Sequence, residues 1–482
     1  MSATAASSAV LPPRVAVLGF ARSGRALTQA LLERGVGVTV VDDRPRNAFE
    51  GTAELEEAGV RFFFGGSDPR RGSDPAEALD GVGWLALSPG VPPTHAMVVA
   101  ARRRGLPVLS EIEIAWRIAD SESAGRHRWV AVTGTNGKST TTAWIAEILR
   151  LGSRPVSLAG NIGVPLSGFL RDRAPRDFVC ELSSFQLETL ERFRPDVAVL
   201  TNVTPDHLDR YESMEEYAAT KERIFSNQRE NDFAVVNADD PIARSVRPRA
   251  RRVPFSRRAP APGGTWCEKG RLFSEARGPR RDVLAADRLA LPGAHNLENA
   301  LAALAAAECL EAPAAAIEKG LTAFHGLPHR TQLVLDSGGV QWVNDSKGTN
   351  VDATVKSLEG RREKSVLLIL GGRDKHGDFG LLAAPIARTA RIVLTIGEAA
   401  PKIEKAISGS APVESCATME KAVARAAELA RPGDTVLLSP ACASFDQYGN
   451  FEERGAHFAK LVHRLVGEGS DPLRGSDPKN GS

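Results

Sequence analysis

Residues 129–142 read Trp-Val-Ala-Val-Thr-Gly-Thr-Asn-Gly-Lys-Ser-Thr-Thr-Thr, and they constrain the fold more than any other stretch. A β-branched run at 130–133 stops at Gly134, and a helix-like pattern at 140–151 follows Gly137-Lys138-Ser139. Strand, glycine turn, Lys-Ser and helix in that order build a phosphate cradle. Backbone N–H groups and the helix N-terminus face the anion. Lys138 adds a mobile positive charge, and the Ser139 hydroxyl can bind Mg²⁺. The loop therefore predicts binding of a nucleoside triphosphate. It departs from the standard phosphate loop, which has a glycine six residues before the lysine, where this chain has Val132. An incidental Lys-Ser in a strand-to-helix turn is the competing reading.

A chain of 482 residues is long for one core and suits two to four domains. Its formal net charge of +2 gives no global field that would draw nucleic acid or anionic lipid. The arginines at 244–258 read as a solvated loop, so no nucleic-acid partner is expected. Residues 1–11 carry no basic residue in the small, polar stretch before Arg14, and the apolar run at 15–20 is too short for a signal core or a membrane span. A cytoplasmic chain without membrane insertion is expected. The cysteines (Cys180, Cys267, Cys309, Cys416, Cys442) are scattered and form no C-x-x-C pair, which favours reduced thiols over a zinc or disulfide framework. No obvious interface stripe appears, and a monomer is expected.

Strands at 14–18, 37–41 and 84–87 surround a glycine turn, Gly19-Phe-Ala-Arg-Ser-Gly24, and a helix to about residue 34. This is a βαβ unit with acidic residues, Asp42 and Asp43, at the next strand end. It resembles a dinucleotide fingerprint but has Ala21 in place of the middle glycine. The next segment alternates strands at 178–182, 197–202 and 233–237 with helices. Hairpins or an irregular insertion are expected at 250–290, and an Ala/Leu helix at 299–310. Strands at 340–344, 365–370, 391–396 and 434–439 imply another parallel sheet. The expected class is α/β with three domains: 1–125 Rossmann-like, 126–326 of phosphate-loop ATPase type, 327–466 Rossmann-like, then a disordered tail at 467–482. The ten-residue stretch at 66–75 recurs with one change at 469–478, and its Ser-Asp-Pro units favour turns over packing.

Several polar residues sit at strand ends. Glu181 could hold Mg²⁺ directly or through water, or belong to a helix start capped by Ser183 or Ser184, with Glu188 in the first turn. Asp206, His207 and Asp209 follow another strand and suit a metal or phosphate contact. Lys221 reads as an ordinary exposed helix lysine. Asp345 with Lys347, Lys375, and Ser444 follow three further strands, which suggests one binding edge. Cys442 has no identifiable base nearby and reads as a small buried thiol.

Taken together, these segments resemble the Mur ligase family over about residues 14–465. The carriers are Gly134-Thr-Asn-Gly-Lys-Ser-Thr140, Glu181-Leu-Ser-Ser-Phe-Gln186, Leu291-Pro-Gly-Ala-His-Asn-Leu-Glu-Asn-Ala300, Leu327-Pro-His-Arg330, Asn344-Asp-Ser-Lys-Gly-Thr-Asn350 and Ser439-Pro-Ala-Cys-Ala-Ser-Phe-Asp446. The forms at 181–186, 344–350 and 439–446 match the branch that joins D-glutamate to UDP-N-acetylmuramoyl-L-alanine. The resemblance implies an ATP-dependent amide ligase that works through an acyl phosphate, with Mg²⁺.

By that resemblance Gly134, Thr135, Asn136, Gly137, Lys138, Ser139 and Thr140 hold phosphate, while Asn296, Arg330 and Asp345 hold the rest of ATP. Ser139, Glu181, His207 and a carbamylated Lys221 hold metal. Lys347 stabilises charge at the acyl phosphate, and Lys138, Glu181, His207, Lys221 and Lys347 form the catalytic set. Arg22, Ser23, Asp43, Arg44, Ser88, Pro89 and Gly90 bind the UDP substrate, with Asn161 near its reacting carboxylate. Thr349, Lys375, Ser444, Phe445 and Phe451 frame D-glutamate. The alternatives are a Mur-type or folylpolyglutamate-type ligase with another amino acid, a non-catalytic nucleotide-binding protein, and an NAD-dependent dehydrogenase using the turn at 19–24. The last leaves the Gly-Lys-Ser loop without a role.

Overall fold

The computed structural model describes residues 11–65, 77–123, 126–207, 210–375 and 377–467. The described residues within Met1–Val203, Glu215–Ala290 and Glu298–Phe324 form one compact unit. Those within Thr204–Met214, Leu291–Leu297 and His325–Ser482 form a second. Both Gly-Ser-Asp-Pro segments, Asp209 and the tail at 468–482 lie outside the described residues.

The first unit carries two sheets. One contains β1 (Arg14–Leu18), β2 (Gly37–Asp42), β3 (Arg61–Phe64), β4 (Trp84–Leu87) and β5 (Val108–Ser110), in the order β3-β2-β1-β4-β5. Every pairing in it is parallel. β1 reads Arg-Val-Ala-Val-Leu, and its last four residues are buried, as a parallel strand covered on both faces requires. The chain winds outward from β1 in both directions, which makes its carboxyl end a topological switch point.

The second sheet contains β6 (Arg128–Thr133), β7 (Val156–Gly160), β8 (Asp177–Glu181), β9 (Val197–Leu200), β10 (Phe233–Asn237), β11 (Arg251–Ser256), β12 (Thr265–Glu268), β13 (Arg271–Ser274) and β14 (Arg281–Ala285). Its order is β14-β13-β12-β11-β10-β9-β6-β8-β7, so β6 lies between β8 and β9 at a second switch point. The hairpins expected at 250–290 are the antiparallel β12-β13-β14 meander, which extends this sheet. Where a solvated arginine loop was expected, Arg251 and Arg252 instead open β11 and pair with β10. Both residues are nonetheless exposed.

Helix Glu111–Glu122 joins the two sheets through buried carboxylates. Glu111 accepts from the Ser167 amide at 2.6 Å and from its hydroxyl. Glu113 accepts from the amides of Glu191, Arg192 and Phe193 at 2.9–3.1 Å, and Arg117 caps it from the next turn. Burying a carboxylate is tolerable only with such partners. Nothing local in the sequence marks either contact.

The second unit holds β15 (Gln332–Ser337), β16 (Val340–Asn344), β17 (Val366–Gly371), β18 (Ala390–Ile396), β19 (Val413–Ala417) and β20 (Thr435–Leu438), in the order β15-β16-β20-β17-β18-β19. All pairs are parallel except β15 with β16. Successive residues of β17 go to opposite cores. Val366, Leu368 and Leu370 join one, and Leu367 and Ile369 the other, so helices cover both faces.

Five strands had no sequence expectation: β3, β5, β7, β15 and β19. All five lie at sheet edges. Edge strands carry polar or partly exposed residues along one side, so most lack the apolar run that announces a central strand. The Ala/Leu helix also begins earlier than expected, at Ala294, because its polar first turn hides the periodicity.

Candidate active-site residues

β6 delivers its loop to the carboxyl edge of the second sheet. Gly134 has φ +144°, and a Cβ there would collide with Thr201 Oγ1. Gly137 has φ +81°, and a Cβ would collide with Asn299 Oδ1. These two positions need glycine for both backbone and space. Helix Lys138–Arg150 starts directly after Gly137. The end of β9 braces the loop: Asn202 Oδ1 accepts from the Asn136 amide at 2.9 Å, and Thr201 Oγ1 donates to Asn136 O at 2.6 Å. Lys138 Nζ donates to Thr135 O at 2.6 Å. Ser139 and Thr140 lie in the first turn, both buried.

Glu181 ends β8, opposite Val132 of β6. It is fully buried, accepts from the Ser139 hydroxyl, and takes Asn161 Nδ2 at 2.8 Å. The structure thus brings together Ser139 and Glu181, the pair expected to share a metal, and adds Asn161 beside them. The helix cap needs correction. Ser183, not Ser184, is the N-cap, in a capping box with Gln186, and the helix Ser184–Leu187 is so short that Glu188 stands at its C-cap. Glu181 precedes that helix and takes no part in its cap.

Lys221 is not an ordinary exposed lysine. It is 1% exposed, donates to Gly134 O at 2.8 Å, and lies 4.4 Å over the Tyr217 ring. Tyr217 in turn reaches Thr135, with 3.3 Å between hydroxyls. The low hydrophobic contrast of helix Met214–Glu222 concealed a lysine aimed at the phosphate loop.

At the first switch point a cavity of about 400 Å³ brings together Arg22, Ser23, Asp43, Arg44, Ser88, Pro89 and Gly90. Asn161, grouped with them by the resemblance, does not line it. Asp42 accepts from the Phe20 amide at 2.7 Å and holds Arg44 through two bonds of 2.9 Å. Burial alone would raise the Asp42 carboxyl, but Arg44 and the two amides outweigh it and leave it below the usual carboxylate range. His95 Nε2 lies 3.1 Å from Asp43. Arg22 also donates to Gly163 O. Ala21 has φ −80°, which any residue adopts, so the missing middle glycine leaves the backbone of this turn unstrained.

In the second unit, β16, β20 and β17 are adjacent, and their carboxyl ends carry Asp345 to Asn350, Ser439 to Ser444, and Arg373 to Lys375. Asp345 accepts from Ser357 Oγ at 2.6 Å, Ser439 Oγ at 2.8 Å and the Thr331 amide at 3.2 Å. Burial pushes its carboxyl up, against these donors and Arg330. Asn296 donates to Pro292 O at 2.8 Å. Lys347 Nζ lies 4.5 Å over the Phe451 ring. Thr349 N donates to Lys347 O at 2.8 Å. Ser444 is buried, whereas Phe445 is 62% exposed. Lys375 faces a carboxylate, that of Asp206, at 3.4 Å. Asn350 reaches the same group at 2.9 Å, and His207, with φ +55°, donates its amide to it at 3.0 Å. Burial drives the Cys442 thiol up to about 12, as for a small buried thiol.

Two participants had no sequence expectation. Asn202 sits in a polar turn after β9, a weak but readable sign. Arg454, fully buried in helix Phe451–Val462, donates to Ser346, Cys442 and Ala443 and so ties the ends of β16 and β20 together. Burial pulls its guanidinium down to about 10, so it stays charged at neutral pH.

Three α/β sheets with a lysine-serine phosphate loop at a switch point define a phosphate-loop α/β protein. The chain belongs to the Mur ligase family: residues 132–307 match the Mur ligase middle domain and residues 329–442 the Mur ligase glutamate ligase domain. It is 42% identical over 458 residues to the UDP-N-acetylmuramoylalanine--D-glutamate ligase of Pelotomaculum thermopropionicum, covering 94% of this chain and 98% of that protein. It is 43% identical over 468 residues to the enzyme of the same name from Anaeromyxobacter dehalogenans, covering 93% and 97%. Among solved structures, the MurF ligase of Thermotoga maritima in complex with ADP superposes with a TM-score of 0.58 at 18% identity, over 90% of this chain and 96% of that one. At that identity the likeness is one of fold.

Proposed function

We propose that this chain is an ADP-forming amide ligase that adds D-glutamate to UDP-N-acetylmuramoyl-L-alanine. The observation that carries this reading is identity of about 40%, end to end, with ligases of that name. The residues suit the chemistry. A carboxylate is a poor electrophile because oxide is a poor leaving group. Its oxygen attacks the γ-phosphorus of ATP, the bond to ADP breaks, and an acyl phosphate forms. The D-glutamate amine then attacks the acyl carbon, and the tetrahedral intermediate expels phosphate.

Lys138 and the loop at 134–140 neutralise phosphate charge during the first step. Ser139 and Glu181 offer buried oxygen donors, a set that suits Mg²⁺. Such an ion needs only one or two protein oxygens beside substrate phosphates, and among the described residues no cluster of three or more His, Cys, Asp or Glu could hold a metal. Bound there, Mg²⁺ would offset charge on the transferred phosphoryl group. Carbamylation of Lys221 would turn an ammonium into an oxygen donor for a second ion, with His207 as its other ligand. Asn296, Arg330 and Asp345 would hold the base, phosphates and ribose of ATP, and Lys347 would stabilise charge at the acyl phosphate. Lys375 would exchange Asp206 for the side-chain carboxylate of D-glutamate, which Thr349, Ser444, Phe445 and Phe451 frame. The 400 Å³ cavity at the first switch point takes the UDP end. Among the described residues no helix is long and apolar enough to cross a membrane. We place the reaction in the cytoplasm with a monomeric enzyme.

The test is phosphate release with Mg²⁺-ATP and UDP-N-acetylmuramoyl-L-alanine, offered D-glutamate, L-glutamate, L-lysine or meso-diaminopimelate. Release with D-glutamate alone, lost in Lys138→Ala and Lys375→Ala, is the expected result. Release with another amino acid would retain the mechanism and overturn the substrate.

A further inference from the structure

At the first switch point one further residue lines the cavity, His95. β1 lies between β2 and β4, so the segments that follow β2 and β4 flank the turn that follows β1. Asp43 stands directly after β2, and His95 lies between β4 and helix Ala96–Arg103. Their side chains join the two flanks, with 3.3 and 3.1 Å from His95 Nε2 to the two Asp43 oxygens.

The two ring nitrogens have separate partners. Nδ1 accepts from the Met97 amide at 3.1 Å and caps helix Ala96–Arg103. A nitrogen that accepts carries no proton, so the neutral ring has its proton on Nε2, and Nε2 donates to Asp43. The helix cap thus fixes the tautomer that the Asp43 contact needs. The His95 side chain is 10% exposed, whereas that of Asp43 is 54% exposed. A fixed donor therefore restrains a carboxylate that would otherwise sample several rotamers in solvent.

The adjacent acid is committed elsewhere. The Asp42 side chain is 6% exposed, and its oxygens serve the amides of Phe20 and Arg44 and the Arg44 guanidinium. Asp42 belongs to the turn, and Asp43 is the acid presented at the cavity surface. The diphosphate of a UDP substrate offers acceptors, which suit Arg22 and the start of helix Arg22–Leu32. A carboxylate instead takes a donor, and the uracil imide N–H is one. An ionised carboxylate has room for about four hydrogen bonds, so Asp43 can keep His95 and accept from the base as well.

We propose that His95 is a positioning residue of the nucleotide site, which holds the Asp43 carboxylate where it accepts from the uracil imide. The inference rests on the proposed UDP substrate and adds the residue that sets how firmly the base is held.

Two substitutions separate the ring's two contacts. Asn places its oxygen near the position of Nδ1 and reaches no further, so His95→Asn keeps the cap and drops Asp43. Gln places its amide nitrogen near the position of Nε2, so His95→Gln keeps a donor to Asp43 and drops the cap. Phosphate release is measured against UDP-N-acetylmuramoyl-L-alanine, with Mg²⁺-ATP and D-glutamate saturating. In His95→Asn the KM for that substrate is expected to rise about tenfold, as for one lost hydrogen bond to a charged group, with kcat, the KM for ATP and the melting temperature unchanged. In His95→Gln the melting temperature is expected to fall, while that KM stays within about twofold of the native value. With Asp43→Ala already present, adding His95→Asn is expected to change the KM by less than about twofold, because the partner is gone. A KM that follows the cap, rising in His95→Gln and not in His95→Asn, overturns the proposal. So does a KM unchanged in both variants, or a His95→Asn effect that persists without Asp43. No phosphate release from the native chain with this substrate would instead overturn the proposed function, and the role of His95 with it.

Discussion

Two strand–turn–helix units in the first unit invite comparison. Both leave a central parallel strand, β1 or β6, and both turn on a glycine of positive φ, Gly19 at +91° and Gly134 at +144°. Both run into a long helix, Arg22–Leu32 and Lys138–Arg150. What differs is the acid supplied by the neighbouring strand. At the first turn Asp42 takes the turn's own Phe20 amide and is covered by Arg44. At the second, Glu181 takes the Ser139 hydroxyl and the Asn161 amide, beside Lys138. A carboxylate seated on the turn and covered by its own arginine leaves no site there for a metal ion. A carboxylate paired with a hydroxyl beside a lysine suits a metal and a triphosphate. The glycine turn alone therefore says little about the ligand, and the strand beside it decides.

The comparison breaks most sharply at Lys138. Lys138→Ala is expected to lower ATP-dependent phosphate release by about 10³-fold, the scale of a lost transition-state charge partner, with the melting temperature nearly unchanged. An active variant would mean that the second turn works without its cation. Glu181→Gln comes next. It keeps the shape but removes the charge, and is expected to raise the Mg²⁺ needed for half-maximal turnover by about 10–100-fold. An unchanged Mg²⁺ titration would take Glu181 out of the metal site.

Asp42→Asn addresses the first turn. The Asp42 carboxyl lies below its ordinary value, so its contribution to stability is full above the unfolded value of about 3.9 and is lost as pH falls through the folded value. The variant is expected to be about 1–2 kcal/mol less stable than the native chain at pH 7. Denaturant melts across pH should show that gap closing below about pH 4. A gap that persists there would mean the charge is not what Asp42 contributes. The smallest effect is expected from Ala21→Gly. Ala21 is the N-cap of helix Arg22–Leu32 with an ordinary φ, so the chain freedom that glycine adds and its preference over alanine at an N-cap oppose each other; Ala21→Gly should change stability by less than about 1 kcal/mol and leave the KM for the UDP substrate unchanged. A tighter KM would show that the turn needed that glycine after all.

Much of the fold was legible because central parallel strands are continuous apolar runs. β1, β4, β10 and β16 coincide with the expected ranges at both ends. The edge strands were not, since they are interrupted by polar or partly exposed residues and no long apolar run forms. The structure brings the seven residues of the first cavity together, and Ser139 next to Glu181, whereas Asn161, grouped with the seven by the resemblance, meets Glu181 instead. Ser183 and Ser184 could not be told apart as caps, because either hydroxyl can serve and only backbone dihedrals choose. Read from its own residues Lys221 passed for an exposed lysine, and Arg454 was not singled out, because burial of a long cation depends on what packs over it, which its own helix does not record.

By itself the sequence determined the local events: a β-branched run, a glycine that breaks it, and Lys-Ser at the start of a helix. These depend on neighbours a few residues away and on backbone sterics. Tertiary structure alone decided that Lys221 points at Gly134, 87 positions earlier, and that Lys375 faces Asp206, 169 positions away. The physical reason is strand order. Which strand ends stand side by side is set by the packing of whole sheets, and no local pattern carries that information.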